Sequence, residues 1–303
     1  MRPLRVLAVY LAAVFLGGAL LAPWVYFIAQ WAAEQSSVFK GIANEPFHRY
    51  VNRCLIVAAL AGLWPTAKAL GLQSAKDLGM AGFRGEIGRL GMGFLLGFGS
   101  LAIVALLATL GGGRAWDLSH DAARYTKHLL NAGLAALAVP VIEELLFRGV
   151  VFGGLRKGGN WQMALVVSSV IYALVHFLER PPAPETVGWS SGLALLPRMM
   201  RGFGNIEQLV PGFFSLTFVG ALLALAYQRT GALYFSMGLH GGWIFWMKSY
   251  GFLTREVPGA NTAFWGTGKV TEGWLCLLVL AVVAVPVWRL TARGKSDVPE
   301  SQS

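Results

Sequence analysis

Charge is scarce in this chain. Only 13% of its 303 residues are Asp, Glu, Lys or Arg, while 55% are hydrophobic. Soluble domains average about 25% charged residues, so the shortage excludes an ordinary soluble fold and points to a membrane protein. Cysteine is nearly absent: Cys54 and Cys276 both lie in apolar segments. They make no disulfide framework and no cysteine-based metal spacing, and they read as buried small hydrophobes. No internal repeat and no soluble domain interrupts the apolar pattern. No run of Lys or Arg is interleaved with aromatics, so the net charge of +10 is assigned to basic loops facing anionic lipid, with no nucleic-acid partner.

What the chain has in quantity is apolar windows long enough to cross about 30 Å of hydrocarbon. They run Arg5–Trp31, Val51–Leu72, Gly88–Leu110, Leu129–Leu155, Trp161–Leu178, Val210–Tyr227, Ala232–Met247 and Gly273–Leu290. The expected fold is therefore all-α, a polytopic transmembrane helical bundle of about eight spans. The second window is weakened by Arg53 and Pro65, and the seventh is short and partly polar. Met1-Arg2-Pro3-Leu4-Arg5 looks like the start of a signal peptide. The apolar run continues to Trp31 without a small-residue cleavage site, so it reads as a retained first span. The 11 tryptophans suit membrane interfaces and the 38 glycines suit close helix packing. Gly93 and Gly97 form a small-xxx-small pattern that should pack on a neighbouring helix. The segment Glu179–Gln208 carries Trp189 and an apolar run with flanking arginines, and reads as interfacial or re-entrant. The tail Gly294–Ser303 is polar and expected to be disordered. An even number of spans puts both termini on one side, and the density of Lys and Arg makes that side cytoplasmic.

Against this background Glu143-Glu144-Leu145-Leu146-Phe147-Arg148 stands out. A charge at the centre of a membrane helix costs roughly 2.5–3.5 kcal/mol on insertion scales. Glu144 and Arg148 are i,i+4 neighbours on a helix and can pair. Glu143, about 100° around the helix, faces elsewhere. Two other spans hold polar groups at depth: Tyr172 and His176, also i,i+4, in the fifth, and His240 in the seventh. Gly241 and Gly242 remove bulk beside the His240 imidazole, which would let a substrate backbone or a water approach. Asn131, Ser168, Ser169 and Thr217 most simply make interhelical hydrogen bonds. The bland readings are that Arg148 is an edge charge snorkelling to water and that each histidine is a helix contact. The functional reading has Glu143 as a general base that activates water, with the histidines stabilising an oxyanion. Alternatively, Glu143, His176 and His240 ligate a divalent metal such as zinc. No His-Glu-x-x-His helix is present, so the usual zincin signal is missing.

These residues resemble, in order and membrane placement, the motifs of the CAAX prenyl protease and bacteriocin-processing family of intramembrane proteases, the CPBP or ABI proteins. Glu143, Glu144 and Arg148 match Glu-Glu-x-x-x-Arg. Tyr172 and His176 match an aromatic followed four residues later by His, usually Phe-x-x-x-His. His240 matches the start of His-x-x-x-Asn/Asp. The resemblance covers roughly Pro140–Ile244. It implies a helical membrane bundle with a cavity open toward cytosol and bilayer, and a peptide-bond hydrolase acting on a membrane-associated substrate. Glu143 would activate water, Glu144 with Arg148 would support the site, and His176 and His240 would orient the water or stabilise the oxyanion. Members are described as glutamate-dependent or as metal-dependent. The implied organisation is residues 1–110 as N-terminal transmembrane helices, 111–250 as the protease-like core, and 251–303 as a C-terminal helix and tail. Compactness suggests a bacterial inner membrane.

Two positions depart from the pattern. Tyr172 stands where Phe is usual, and Ile244 stands where Asn or Asp is expected. Isoleucine donates no hydrogen bond, so Ser236, one turn before His240, is considered as a substitute donor. The same departure supports an alternative reading, a catalytically impaired scaffold or immunity-like factor. A proton-coupled transporter would also use buried Glu and His. It is disfavoured because two halves with matching broken helices are not seen.

Overall fold

A computed structural model describes residues 2–80 and 82–292; the tail Gly294–Ser303 lies outside them. Its principal helices are α1 (Arg2–Gln35), α2 (Phe47–Ala69), α3 (Ile87–Leu110), α4 (Ala122–Glu144), α5 (Trp161–His176), α6 (Ser191–Met199), α7 (Ile206–Thr230), α8 (Tyr234–Leu253) and α9 (Trp274–Leu290). Each of the eight apolar windows is helical. By length and composition Pro3–Gln35, Ile87–Leu110 and Ile206–Thr230 can cross a membrane, and Trp161–His176 and Trp274–Leu290 are shorter apolar helices. Large apolar side chains stand exposed on their outer faces, among them Leu95, Leu110 and Val282. Such faces suit lipid, where every backbone polar group must be satisfied within the segment. The chain is an all-α integral membrane protein.

The chain divides into two compact units, Met1–Gln73 with Val175–Asn205, and Ser74–Leu174 with Ile206–Ser303. In the first, α1 packs along α2. A side chain at Gly18 would place its Cβ 2.9 Å from the Leu55 backbone, so glycine sets the approach. Tyr26 meets Phe47 and Tyr50 edge-on at 5.6 and 5.3 Å, and Cys54 is buried in the same cluster. The segment expected to be interfacial or re-entrant contains α6. Its Leu195 and Met199 are buried, Gly192 presses on the Ala19 carbonyl, and the Trp189 ring packs against that of Trp24 at 4.5 Å.

In the second unit α8 is the most enclosed helix: every residue from Tyr234 to Ile244 is buried. This explains why its window looks short and polar, since a helix surrounded by protein needs little lipid-facing surface. Its closest neighbour is α3. An added Cβ at Gly93 would fall 2.3 Å from the Phe235 carbonyl oxygen, at Gly97 2.1 Å from that of Leu239, and at Gly242 2.2 Å from the Phe98 nitrogen. The small-xxx-small pattern therefore brings two backbones together. Gly241 and Gly242 serve the same end: Gly241 backs onto the Ala136 carbonyl of α4 and Gly242 onto α3. The expectation that they open space for substrate is thus corrected, because backbone atoms of neighbouring helices already fill that space. Ser168 and Ser169 both donate to the Leu165 carbonyl of their own helix, in place of the expected interhelical bonds. A short antiparallel ribbon, β1 (Arg114–Trp116) with β2 (Thr254–Glu256), joins the ends of α3 and α8. Arg114 pins it, donating from Nε to the Thr254 hydroxyl at 2.9 Å and from Nη1 to the Thr267 carbonyl at 2.8 Å.

Gly97→Ala and Gly242→Ala should each lower stability by about 1–3 kcal/mol, the usual effect of overpacking. Gly99→Ala, on the same helix as Gly97 but with nothing within 4 Å of its added Cβ, should leave the melting temperature in detergent unchanged or slightly raised. Equal melting temperatures for all three would contradict the packing.

Candidate active site

The site begins with a break in helical geometry. Pro140 lies inside α4. It lacks an N–H and so leaves the carbonyl four residues back, that of Ala136, without its helical donor. This is the carbonyl against which Gly241 packs. One turn later α4 ends at Glu144, and Leu145–Phe152 continues as a π-helix, wound with i→i+5 hydrogen bonds. The apolar window predicts an ordinary α-helix through this motif. Nothing in the residue pattern distinguishes the two windings, so the sequence carries no warning of the change.

Glu144 is 0% and Arg148 2% exposed. Arg148 Nη1 lies 3.1 Å from Glu144 Oε1. The guanidinium lies over the Tyr172 ring, with Cζ 4.4 Å from its centroid, and Nη2 donates to the Gly220 carbonyl of α7 at 3.4 Å. Gly220 lets α7 come this near to α5, since an added Cβ would sit 2.9 Å from Ser169 Cα. Arg148 is therefore enclosed, which removes the snorkelling alternative.

His240 completes the cluster from α8. Its Nδ1 is 2.9 Å from Glu144 Oε1. A carboxylate only accepts, so Nδ1 carries the hydrogen. Nε2 is left 3.4 Å from the Tyr172 hydroxyl and 3.7 Å from Glu143 Oε2. The Glu143 side chain keeps 23% of its surface exposed. Two neighbouring glutamates thus occupy unlike settings: one enclosed between Arg148 and His240, the other with a partly exposed side chain whose Oε2, the oxygen nearest the imidazole, is buried. Ser236 lies beside Glu144, and its Oγ donates to the Leu233 carbonyl at 2.9 Å. The Leu233 carbonyl and the Glu144 carboxylate both lie within reach of its one hydrogen. Ile244 is buried one turn beyond His240.

Glu143, Glu144, Arg148, Tyr172 and His240 all belong to the second unit and meet there. His176 is the last residue of α5 and falls in the first unit. For the metal alternative, Glu143 Oε2 and His240 Nε2 offer two donors. Among the described residues no group of three or more His, Cys, Asp or Glu side chains is arranged to hold a metal ion. A catalytic zinc takes three protein ligands, and no step is assigned to one.

Removing one member of a buried ion pair strands the other at about 3–5 kcal/mol. Arg148→Ala should therefore lower the thermal stability of the detergent-solubilised protein sharply. Glu143→Ala, at a partly exposed position, should shift it by no more than about 0.5 kcal/mol. Equal effects would contradict the division between the two carboxylates.

Residues 125–246 match the model of the family described as type II CAAX prenyl endopeptidase Rce1-like. No curated protein and no solved structure matches the chain. The matched stretch contains Glu143, Glu144, Arg148, Tyr172, His176 and His240, so the motifs and the family match fall on the same residues. Over residues 125–246 the chain is similar to the type II CAAX prenyl endopeptidase Rce1-like family.

Proposed function

We propose that the chain is an intramembrane endopeptidase that hydrolyses a peptide bond of a membrane-associated substrate with a water activated by Glu143. The family match supports a CAAX-type intramembrane protease. The observation that carries the finer reading is the split between the two glutamates. Glu144 is spent on Arg148 and His240, while Glu143 Oε2 stands 3.7 Å from Nε2 with its side chain still partly exposed.

The chemistry follows from that split. A water between Glu143 and His240 donates one hydrogen to the Glu143 carboxylate and the other to Nε2, which turns its lone pair to the scissile carbonyl carbon. Glu143 takes the proton as the C–O bond forms. The tetrahedral intermediate collapses, the C–N bond breaks, and the proton passes from Glu143 to the leaving amine. Glu144 and Arg148 are positioning residues in this scheme: they hold the imidazole in one tautomer and one orientation. His176 is assigned its supporting role on its motif position alone. Zinc held by Glu143, His176 and His240 would be the metal-dependent version of the same site. The bacterial inner membrane is the proposed location, with both termini in the cytoplasm on the Lys and Arg density.

The second reading, a scaffold or immunity-like factor without turnover, is favoured by one observation, the buried apolar Ile244. Rescue of a deletion strain by the Glu143→Ala variant would support it over the enzyme.

A farnesylated CAAX peptide and an unmodified membrane-spanning peptide are the first probes, in proteoliposomes. Glu143→Ala should lower turnover by about 10²–10⁴-fold, the usual contribution of a general base, and His176→Ala should also abolish cleavage. Turnover by the intact chain should survive a chelator such as 1,10-phenanthroline. Full activity of Glu143→Ala would remove it as the base, and chelator-sensitive turnover restored by zinc would replace the glutamate-only scheme with the metal-dependent one.

A further inference from the structure

One cavity of the second unit shares no residue with the glutamate cluster. It holds about 640 Å³, and Glu86, Arg89, Arg229, Thr230, Leu290 and Thr291 are among the residues that line it. These positions belong to the start of α3 and the ends of α7 and α9. Helices α3 and α7 are long and apolar enough to cross a membrane, so the cavity opens where they leave the hydrocarbon. Its volume falls within the range of about 300–1,000 Å³ usual for small-molecule sites, but such sites are mostly apolar. A lining with two arginines, a glutamate and two threonines calls for a charged occupant.

The two arginines are held differently. Arg229 donates from Nε to the Thr291 hydroxyl at 3.1 Å and from Nη2 to the Trp288 carbonyl at 3.0 Å. Its Cζ lies 3.6 Å from the centroid of the Trp288 ring. It acts on an occupant as a charge fixed in place. Arg89 gives Nη1 to Glu86 Oε1 at 2.8 Å, and its side chain keeps 43% of its surface exposed. A guanidinium carries five N–H donors in a fork that matches phosphate oxygens. Glu86 Oε2 is buried with no hydrogen-bond partner, an orphan acceptor that asks for a donor. Two arginines against one glutamate leave the cavity with one positive charge. Trp288 and Leu290 stand exposed beside it, and tryptophan is enriched at the level of the lipid headgroups. We propose that this cavity holds the headgroup of an anionic phospholipid. The Arg89 fork takes the phosphodiester next to the fixed charge of Arg229. A headgroup hydroxyl, as in phosphatidylglycerol, donates to Glu86 after a small turn of its carboxylate. The single negative charge of that lipid matches the single positive charge of the cavity, and its acyl chains pass Leu290 into the bilayer. The inference is independent of the endopeptidase reading.

Native mass spectrometry of the full chain in detergent reads the affinity, with phosphatidylglycerol and phosphatidylcholine of the same acyl chains as probes. Phosphatidylcholine shares the phosphodiester, but its headgroup has no O–H or N–H and no net charge. Phosphatidylglycerol should bind about tenfold more tightly or better. Arg89→Gln should weaken it by about tenfold or more, the effect of losing a charged hydrogen bond. Arg89→Lys keeps the charge without the fork and should fall between. Lys76→Gln should leave the affinity unchanged. Lys76 is an exposed cation next to Asp77, whose carbonyl accepts from the Tyr227 hydroxyl at the same end of α7, and it lies outside the cavity. Melting temperatures check that the variants fold, and an ion pair this exposed contributes little to stability. If Arg89→Gln does not fold, Arg89→Lys carries the test, and unchanged affinity in it overturns the proposal. Equal binding of the two lipids, or equal losses in Arg89→Gln and Lys76→Gln, would mean diffuse attraction to a basic surface and would also overturn it. So would displacement of phosphatidylglycerol by millimolar inorganic phosphate, which would assign the cavity to a free anion.

Discussion

The second unit depends on one buried pair of charges. Glu144 and Arg148 lie 3.1 Å apart with almost no exposed surface, in a protein whose outer faces are built for lipid. Neither charge has solvent to turn to, so each must be satisfied by its neighbours, and a buried ion pair repays its desolvation only when its remaining hydrogen-bonding capacity is used. Here the contacts of the pair tie five helical elements together. The pair itself comes from the end of α4 and the π-helix that follows. Arg148 reaches the Tyr172 ring on α5 and the Gly220 carbonyl on α7, and Glu144 holds His240 on α8. The feature that is hardest to bury is thus the one that sets where the imidazole sits.

Backbone packing makes that arrangement possible. Glycines on both α3 and α8 let the two helices approach until a single added carbon would overlap main-chain atoms. The missing N–H of Pro140 and the missing side chain of Gly241 coincide at the Ala136 carbonyl, which brings α4 against α8 at the level of the site. The polar cluster and the small residues are therefore parts of one solution. The charges need partners at short range, and glycine allows the partner helices to come that close.

Much of this is legible in the residue pattern. A shortage of charge and eight apolar windows are enough for an all-α membrane bundle, because length and hydropathy are strong constraints in a bilayer. The spacing of Gly93 and Gly97 signals a close helix contact, and the pairing of Glu144 with Arg148 follows from their separation by four residues. Other features depend on tertiary context. The π-helix after Glu144 has no signature in Leu145–Phe152. Gly241 and Gly242 beside a histidine read equally well as room for substrate or room for a helix, and only the neighbours decide. Ser168 and Ser169 can bond across helices or back to Leu165, and the sequence offers no preference. In the sequence Tyr172 is a minor departure from Phe, and its contact with His240, 68 positions away, is not visible there. The compact units also cut across linear order, with residues 175–205 joining the N-terminal helices.

The central claim is that two adjacent carboxylates live in different surroundings, one enclosed and one able to react. Carboxylate labelling tests it most directly, because the site selectivity of the label is read whatever the natural substrate. The protein in proteoliposomes is treated with a lipid-soluble carbodiimide, and tandem mass spectrometry locates the adduct by fragmentation between residues 143 and 144. Cleavage of the two probe peptides is followed in the same samples. The account predicts modification at Glu143, protection of Glu144, and loss of turnover in step with the extent of labelling. Modification at Glu144, or complete labelling of Glu143 with turnover intact, would contradict it.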